Sequence, residues 1–454
     1  MANPLIRLQQ LGQSPWHDNI RRQLLTSGTL KKMVDDGDIT GLTSNPTIFE
    51  QAIGNSTDYD QDVNRLAREG KTAEQIFDAL AIDDIRNAAD AFAPVFERTG
   101  GNDGYVSIEV MPRLARDTQA TIQEARRLWS AVNRPNLMVK IPATAQGVPA
   151  IEQSIADGLN INITLIFSLK RYEEVMDAYL RGLIRRLENG QKIDRTASVA
   201  SFFVSRVDTL TDKLLDDKIT SGAEKKDLLQ SLKGKAAIAN AKLAYQDFRR
   251  KFSTEAFAGL KNHGARLQRP LWASTSTKNP AYPDLYYVEA LVGPDSVDTM
   301  PPATIQAYKD HGNPEVRIDK NVDDARRVMD QLAEVGILMD EVTKKLEVDG
   351  VASFAKSFDS LIAVVEKRRR ETLEAGKPVA PKAVRKVRKL SSAKKTARRP
   401  AKKATRKKPK KPKSAMKSAA KGKARRARAS RKPAVKRARK IGSRRVKRRA
   451  ARRK

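Results

Sequence analysis

A lysine interrupts an apolar run at Leu137-Met138-Val139-Lys140-Ile141-Pro142. A charged lysine is costly to bury there, and a neutral amine is a nucleophile toward carbonyls, which is the chemistry of Schiff-base lysines. An isolated V-K-I is more often a lysine that snorkels from a strand end to solvent, because charged side chains are rarely buried whole. The company of Lys140 reverses those odds. Glu109 stands between Ile108 and Val110, Asn162 and Thr164 alternate with Ile161, Ile163 and Leu165, and Ser274, Ser276 and Lys278 share one side of their run. Each has a plainer reading: Glu109 suits a salt-bridged or edge-strand carboxylate, Asp18 a helix N-cap, and Thr43-Ser44-Asn45 before Pro46 a turn. Gathered in one place, they would supply an amine to attack a carbonyl and carboxylates to move protons.

The elements that would gather them are legible as alternation. Strands are expected at residues 39–45, 105–111, 136–144, 160–168, 197–204, 270–277 and 286–292, with a weaker one leading into Asp18. Helical spacing of apolar residues marks 113–132, 169–189 and 224–251. Residues 320–358 read as further helix, broken near Gly350 and continuing to about 370. Strands that alternate with crossover helices are parallel, and seven or eight in one series predict a closed (β/α)8 barrel. Within several strands the apolar residues occupy one face only. Val106, Ile108 and Val110 oppose Ser107 and Glu109; Leu137, Val139 and Ile141 oppose Met138 and Lys140. With period 2, one face packs on helices and the other carries Glu, Lys, Asn, Thr and Ser toward the barrel axis, near the C-terminal strand ends where such barrels place their functional groups.

Composition limits the chemistry. The chain has no cysteine, which excludes a disulfide scaffold, a thiol nucleophile and a cysteine-based zinc site, and its three histidines, His17, His263 and His311, form no metal motif. Neither G-x-x-x-x-G-K-[ST] nor G-x-G-x-x-G occurs, so no nucleotide cofactor is expected, and a cofactor-free reaction suits what remains. The start has no signal-peptide core and no apolar run approaches a membrane span, so a cytoplasmic setting is expected. The 454 residues carry a formal charge of +35, unevenly distributed. Residues 375–454 hold 38 basic residues and no acidic or aromatic one, leaving residues 1–374 with 50 basic and 53 acidic.

The run of motifs T-S-N-P-T-I-F (43–49), V-S-I-E-V (106–110), L-M-V-K-I-P-A-T (137–144), N-I-T-L-I-F-S (162–168), S-F-F-V-S-R-V-D (201–208) and A-S-T-S-T-K-N-P (273–280) closely resembles the transaldolase family in its long bacterial form. The resemblance spans residues 1 to about 370. It implies a (β/α)8 barrel that transfers a dihydroxyacetone unit between sugar phosphates through a lysine Schiff base, in the pentose phosphate pathway. A plain aldolase on the same lysine is the close variant. Lys140 then matches the Schiff-base lysine, Asp18 the acid/base of carbon–carbon cleavage, and Glu109 the acid/base of the carbinolamine steps, with Thr164 holding the water. Asn45, Asn162 and Ser201 match ligands of the retained three-carbon unit, and Arg206 and Lys278 the cations that bind the sugar phosphate. Two departures stand out. The second phosphate contact lies in Ser276-Thr277-Lys278, so Ser274 or Ser276 remains open as the adjoining ligand, and Asp298 stands where the resemblance leads to Asn.

The segment 375–454 is expected to be disordered, with too few large apolar residues to repay the entropy of ordering. Its composition resembles linker-histone-type tails. Sequence-independent, salt-sensitive binding of nucleic acid or another polyanion follows from its charge. A second class of function is therefore a nucleoid- or ribosome-associated protein that has inherited a barrel. The intact set of candidate site residues weighs against it.

Overall fold

The computed structural model describes residues 3–375. The expectations for the basic segment lie outside the described residues, apart from Ala375. Eight parallel strands close in sequence order into a barrel: β1 (Gln13–Asp18), β2 (Gly41–Thr43), β3 (Val106–Glu109), β4 (Leu137–Pro142), β5 (Ile161–Ile166), β6 (Ser198–Phe203), β7 (Gln268–Ala273) and β8 (Ser296–Met300). The (β/α)8 architecture expected from the alternation is the one observed.

Strand alternation sets the radial direction of each side chain. On β1, Ser14, Trp16 and Asp18 fall two apart, and Asp18 lines the cavity at the top of the barrel, so all three point inward. At the bottom, Ser14 Oγ accepts from Arg269 at 2.7 Å, and Asp103 accepts from Ser14 Oγ and, at 2.8 Å, from Trp16 Nε1. Pairing and hydrogen bonding of this kind offset the desolvation of a buried charge. Trp16 fills the middle, and its indole lies over Gly41, where a Cβ would stand 2.4 Å from a ring atom. The outward residues Leu137, Val139, Ile141, Ile161 and Ile163 are buried against the helices, each worth about 1.5–3 kcal/mol of burial.

Helices cover the barrel. The helix Thr118–Val132 precedes β4, Gly147–Ala156 precedes β5, and Leu169–Glu188 follows it. The expected helix over 224–251 is two helices, Lys226–Leu232 and Ala236–Phe252, parted where Gly234 takes φ 73°. A long helix, Met339–Ala375, crosses back over the barrel and packs against the helix Pro46–Gly54.

Three further expectations are corrected. Residues 286–292 are not a strand; Tyr286–Ala290 is a short helix, and the eighth strand is Ser296–Met300. The buried residues Leu285, Val288 and Val292, with Tyr287 and Leu291, recur at helical spacing. The break expected near Gly350 is absent. The long helix runs through it, because Gly350 packs where a Cβ would lie 3.0 Å from the Leu165 side chain. The chain breaks instead after Glu334, at Gly336 with φ 71°. Leu165 itself, at φ 58°, marks a bulge in β5, so the alternation expected through Leu165 ends at Thr164.

Candidate active site

The C-terminal strand ends open into a cavity of about 610 Å³, a usual size for a small-molecule site. Its wall includes Asp18, Asn45, Lys140, Thr164, Ser201, Arg206 and Lys278. Seven of the nine residues singled out from sequence therefore face one space. Glu109 and Asn162 sit behind that wall.

Lys140 is buried in β4, at 5% exposure, and its Nζ donates to the Ser44 carbonyl at 3.0 Å. Glu109 Oε2 lies 3.4 Å from the same nitrogen, because the register of β3 and β4 sets Glu109 beside Lys140. Burial pushes the Glu109 carboxyl above its ordinary value despite the attraction of Lys140. The Glu109 side chain is 3% exposed, so this carboxyl is suited to hold and return a proton.

Asp18 ends β1. Burial raises its carboxyl too, opposed by the charge of Lys140, by a hydrogen bond from Thr43, and by Lys278 and Arg206. Thr43 Oγ1 donates to Asp18 Oδ1 at 2.7 Å, and the Thr299 hydroxyl lies 2.7 Å from Thr43 Oγ1. A hydroxyl has one proton; with that of Thr43 given to the carboxylate, Thr299 is the donor in the second bond. A relay of hydroxyls thus fixes the Asp18 carboxyl at the cavity wall. Its neighbour His17 points the other way, buried, and desolvation drops its imidazole to about 4, so it stays neutral and outside the site.

Asn45 caps the helix Pro46–Gly54: its Oδ1 accepts from the Ile48 amide at 3.0 Å, with Pro46 at the first helical position. The oxygen being taken, the amide NH2 is left to face the cavity. Asn162 is fully buried, one layer deeper than expected. Its Nδ2 donates to Ser107 Oγ at 3.0 Å and its Oδ1 accepts from Ser201 Oγ at 2.7 Å. Ser201 is the member of that network at the cavity wall. The Thr164 hydroxyl is buried with no hydrogen-bond partner among the described residues.

Arg206 stands at the start of the helix Ser205–Thr220, half-buried, its pKa lowered by burial although Asp18 and Glu109 attract it. Lys278 is the more exposed cation on the same cavity; burial and the charge of Arg206 lower its pKa, and its Nζ donates to Ser276 Oγ. Ser274 and Ser276 also line the cavity. Ser274 takes φ 58°, an uncommon conformation for a non-glycine residue and one that clusters at functional sites. Two cations, the helix start and two serines make one side of the cavity a fit for an anion.

A family model described as Transaldolase/Fructose-6-phosphate aldolase matches residues 15–365. The chain belongs to the transaldolase family. It is 50% identical over 378 residues to a Transaldolase of Acidothermus cellulolyticus, covering 82% of this chain and 99% of that relative. To a Transaldolase of Trichodesmium erythraeum it is 45% identical over 372 residues, covering 81% and 98%. To a Transaldolase 2 of Nostoc punctiforme it is 47% identical over 370 residues, covering 80% and 97%.

Against that membership, several cavity residues escaped the sequence. Thr43 and Thr299 hold Asp18; Phe203, Phe354 and Gln51 are further parts of the wall. Thr43 was singled out with Ser44 and Asn45, but its bond to Asp18 was not. Phe203 falls on the inward face with Ser201 by the period of β6. Phe354 offered no such signal, since it arrives from the far end of the chain on the long helix.

Proposed function

We propose that this chain is a transaldolase: it transfers a dihydroxyacetone unit from sedoheptulose 7-phosphate to glyceraldehyde 3-phosphate, giving erythrose 4-phosphate and fructose 6-phosphate in the cytoplasmic pentose phosphate pathway. The observation that carries the reading is Lys140, buried inside the barrel with Glu109 Oε2 at 3.4 Å and Asp18 on the same cavity.

The Lys140 amine attacks the C2 carbonyl of the ketose, forming a C–N bond and a carbinolamine. Glu109 gives the proton with which the hydroxyl leaves as water, and the Thr164 hydroxyl holds that water in place. The iminium so formed is an electron sink. Asp18 takes the proton of the C4 hydroxyl, the C3–C4 bond breaks, its electrons pass into an enamine on Lys140, and the shortened aldose leaves. The acceptor aldehyde then meets the enamine: a new C–C bond forms, Asp18 returns its proton to the oxygen, and water releases the product from Lys140. Between the two halves the three-carbon unit is held through its hydroxyls by Asn45 and Ser201, with Asn162 orienting Ser201. Arg206 and Lys278 bind the phosphate of donor and acceptor alike.

The test is transfer itself. Given sedoheptulose 7-phosphate and glyceraldehyde 3-phosphate, the protein should form fructose 6-phosphate and erythrose 4-phosphate in equal amounts, with little free dihydroxyacetone. Free dihydroxyacetone as the main product would make it an aldolase. The segment 375–454 we assign to non-specific polyanion binding, on its 38 basic and no acidic residues.

A further inference from the structure

Among the described residues the Arg206 side chain has neither a hydrogen bond nor an ion pair; Asp18 and Glu109 act on it only through their charges. Its guanidinium is held by two aromatic faces. The Cζ atom lies 5.2 Å from the Phe203 ring centroid and 5.8 Å from that of Phe354, within the distance at which a ring face attracts a cation. Phe203 comes from the end of β6, three residues before the arginine. Phe354 comes from the long helix and is 4% exposed.

That helix is seated so firmly that the Phe354 ring has little freedom. Its buried residues Val342, Leu346, Gly350, Phe354, Phe358, Leu361 and Val365 recur every three or four positions along one face. One turn before Phe354, Gly350 rests on Leu165, the residue after Thr164. One turn after it, Phe358 meets Phe77 edge-on at 5.7 Å, and Ser357 accepts from Thr47 at 2.9 Å. Farther on, Arg368 donates to Asp60 and to the Ser56 carbonyl, each at 2.9 Å.

An arginine that grips a phosphate needs its donors free and its plane fixed. Carboxylate partners would fix it but occupy the donors; two flanking rings fix it and leave every N–H available. We propose that Phe354 is a positioning residue for Arg206, its ring holding the guanidinium against Phe203 so that the N–H groups face a bound phosphate. The inference rests on the phosphate-binding role proposed for Arg206 above.

The test reads phosphate affinity in two ways, on Phe354→Ala, Phe354→Leu, Phe354→Tyr, Arg206→Ala and the Phe354→Ala/Arg206→Ala double variant of the full chain. Calorimetry measures binding of inorganic phosphate without turnover, and kinetics compares KM for glyceraldehyde 3-phosphate with KM for unphosphorylated glyceraldehyde. Phe354→Ala should weaken phosphate binding and raise KM for the phosphorylated acceptor about 3- to 20-fold, with KM for glyceraldehyde unmoved. Phe354→Tyr keeps a ring face and should restore both; Phe354→Leu keeps apolar volume without one and should not. On the Arg206→Ala background the further change should vanish. An equal KM rise with both acceptors, or the full factor persisting in the double variant, would mean that Phe354 acts only through the shape of the cavity and not through Arg206, and would overturn the inference. If phosphate binds through Arg206 but no transfer occurs, the proposed function fails while the calorimetric comparison still decides the role of Phe354.

Discussion

Replacing Asp298 by Asn should stabilise the barrel at neutral and alkaline pH and change little at pH 4. Asp298 lies on the outward face of β8 with no exposure. Its Oδ1 accepts from Thr275 Oγ1 at 2.7 Å, while Oδ2 has no partner among the described residues. Burial pushes the carboxyl from the ordinary 3.8 up to about 7. Below about pH 4 folded and unfolded chains both carry the proton, and the residue costs nothing electrostatic. As pH rises the unfolded chain releases it first, so stability falls until the folded form also ionises near pH 7, after which the loss is complete. At about 1.4 kcal/mol per pKa unit the full loss is on the order of 4 kcal/mol. Asn escapes that loss, keeps the acceptor for Thr275, and leaves an unpartnered amide N–H where the acid left an unpartnered O–H. A gain of about 2–4 kcal/mol at pH 8 follows, or about 4 °C in Tm for a barrel of this size. Thermal unfolding of both proteins at pH 4 and pH 8 measures it. Equal shifts at the two pH values would mean that Asp298 is not held protonated, and the argument from burial would fall.

Three further predictions are independent. Thr43→Val removes the bond that favours the Asp18 carboxylate; the pKa of Asp18 rises and the acid limb of the kcat/KM profile moves to higher pH, whereas an unmoved limb would separate Asp18 from that titration. Gly41→Ala drives a methyl group to 2.4 Å from the Trp16 indole and should cost about 1–3 kcal/mol of stability, read as lost Tm; an unaltered Tm would show that Trp16 can move aside. A chain ending at Glu374 retains nearly all of the long helix, so it should keep its turnover and lose low-salt DNA binding, since 38 basic residues go with the truncation. DNA binding that survives would place the nucleic-acid surface on the barrel.

The barrel was legible wherever polar and apolar residues alternate between turn signals, as in β3, β4 and β5, because inward polar groups and outward apolar ones leave a period-2 trace. It was not legible at β8, where Ser296, Asp298 and Thr299 dilute the apolar signal. Nor was it legible at Tyr286–Ala290, where aromatic and β-branched residues imitate a strand although their buried positions follow a helix. At Gly350 a residue that usually weakens a helix serves close packing, a fact only the partner Leu165 reveals. Motif residues carried most of the site, since Lys140, Glu109, Asp18 and Arg206 are each fixed by strand direction or a helix start. The supporting shell was hidden. Thr299 reaches Thr43 across 256 residues of sequence, and Phe354 reaches Arg206 only through the path of the long helix.

Borohydride trapping tests the central claim most directly. Reduction in the presence of fructose 6-phosphate should leave one covalent three-carbon adduct, located by peptide mass spectrometry on Lys140 and on no other lysine, and Lys140→Arg should abolish it. Absence of an adduct, or an adduct on Lys278 in place of Lys140, would contradict the assignment of Lys140 as the nucleophile.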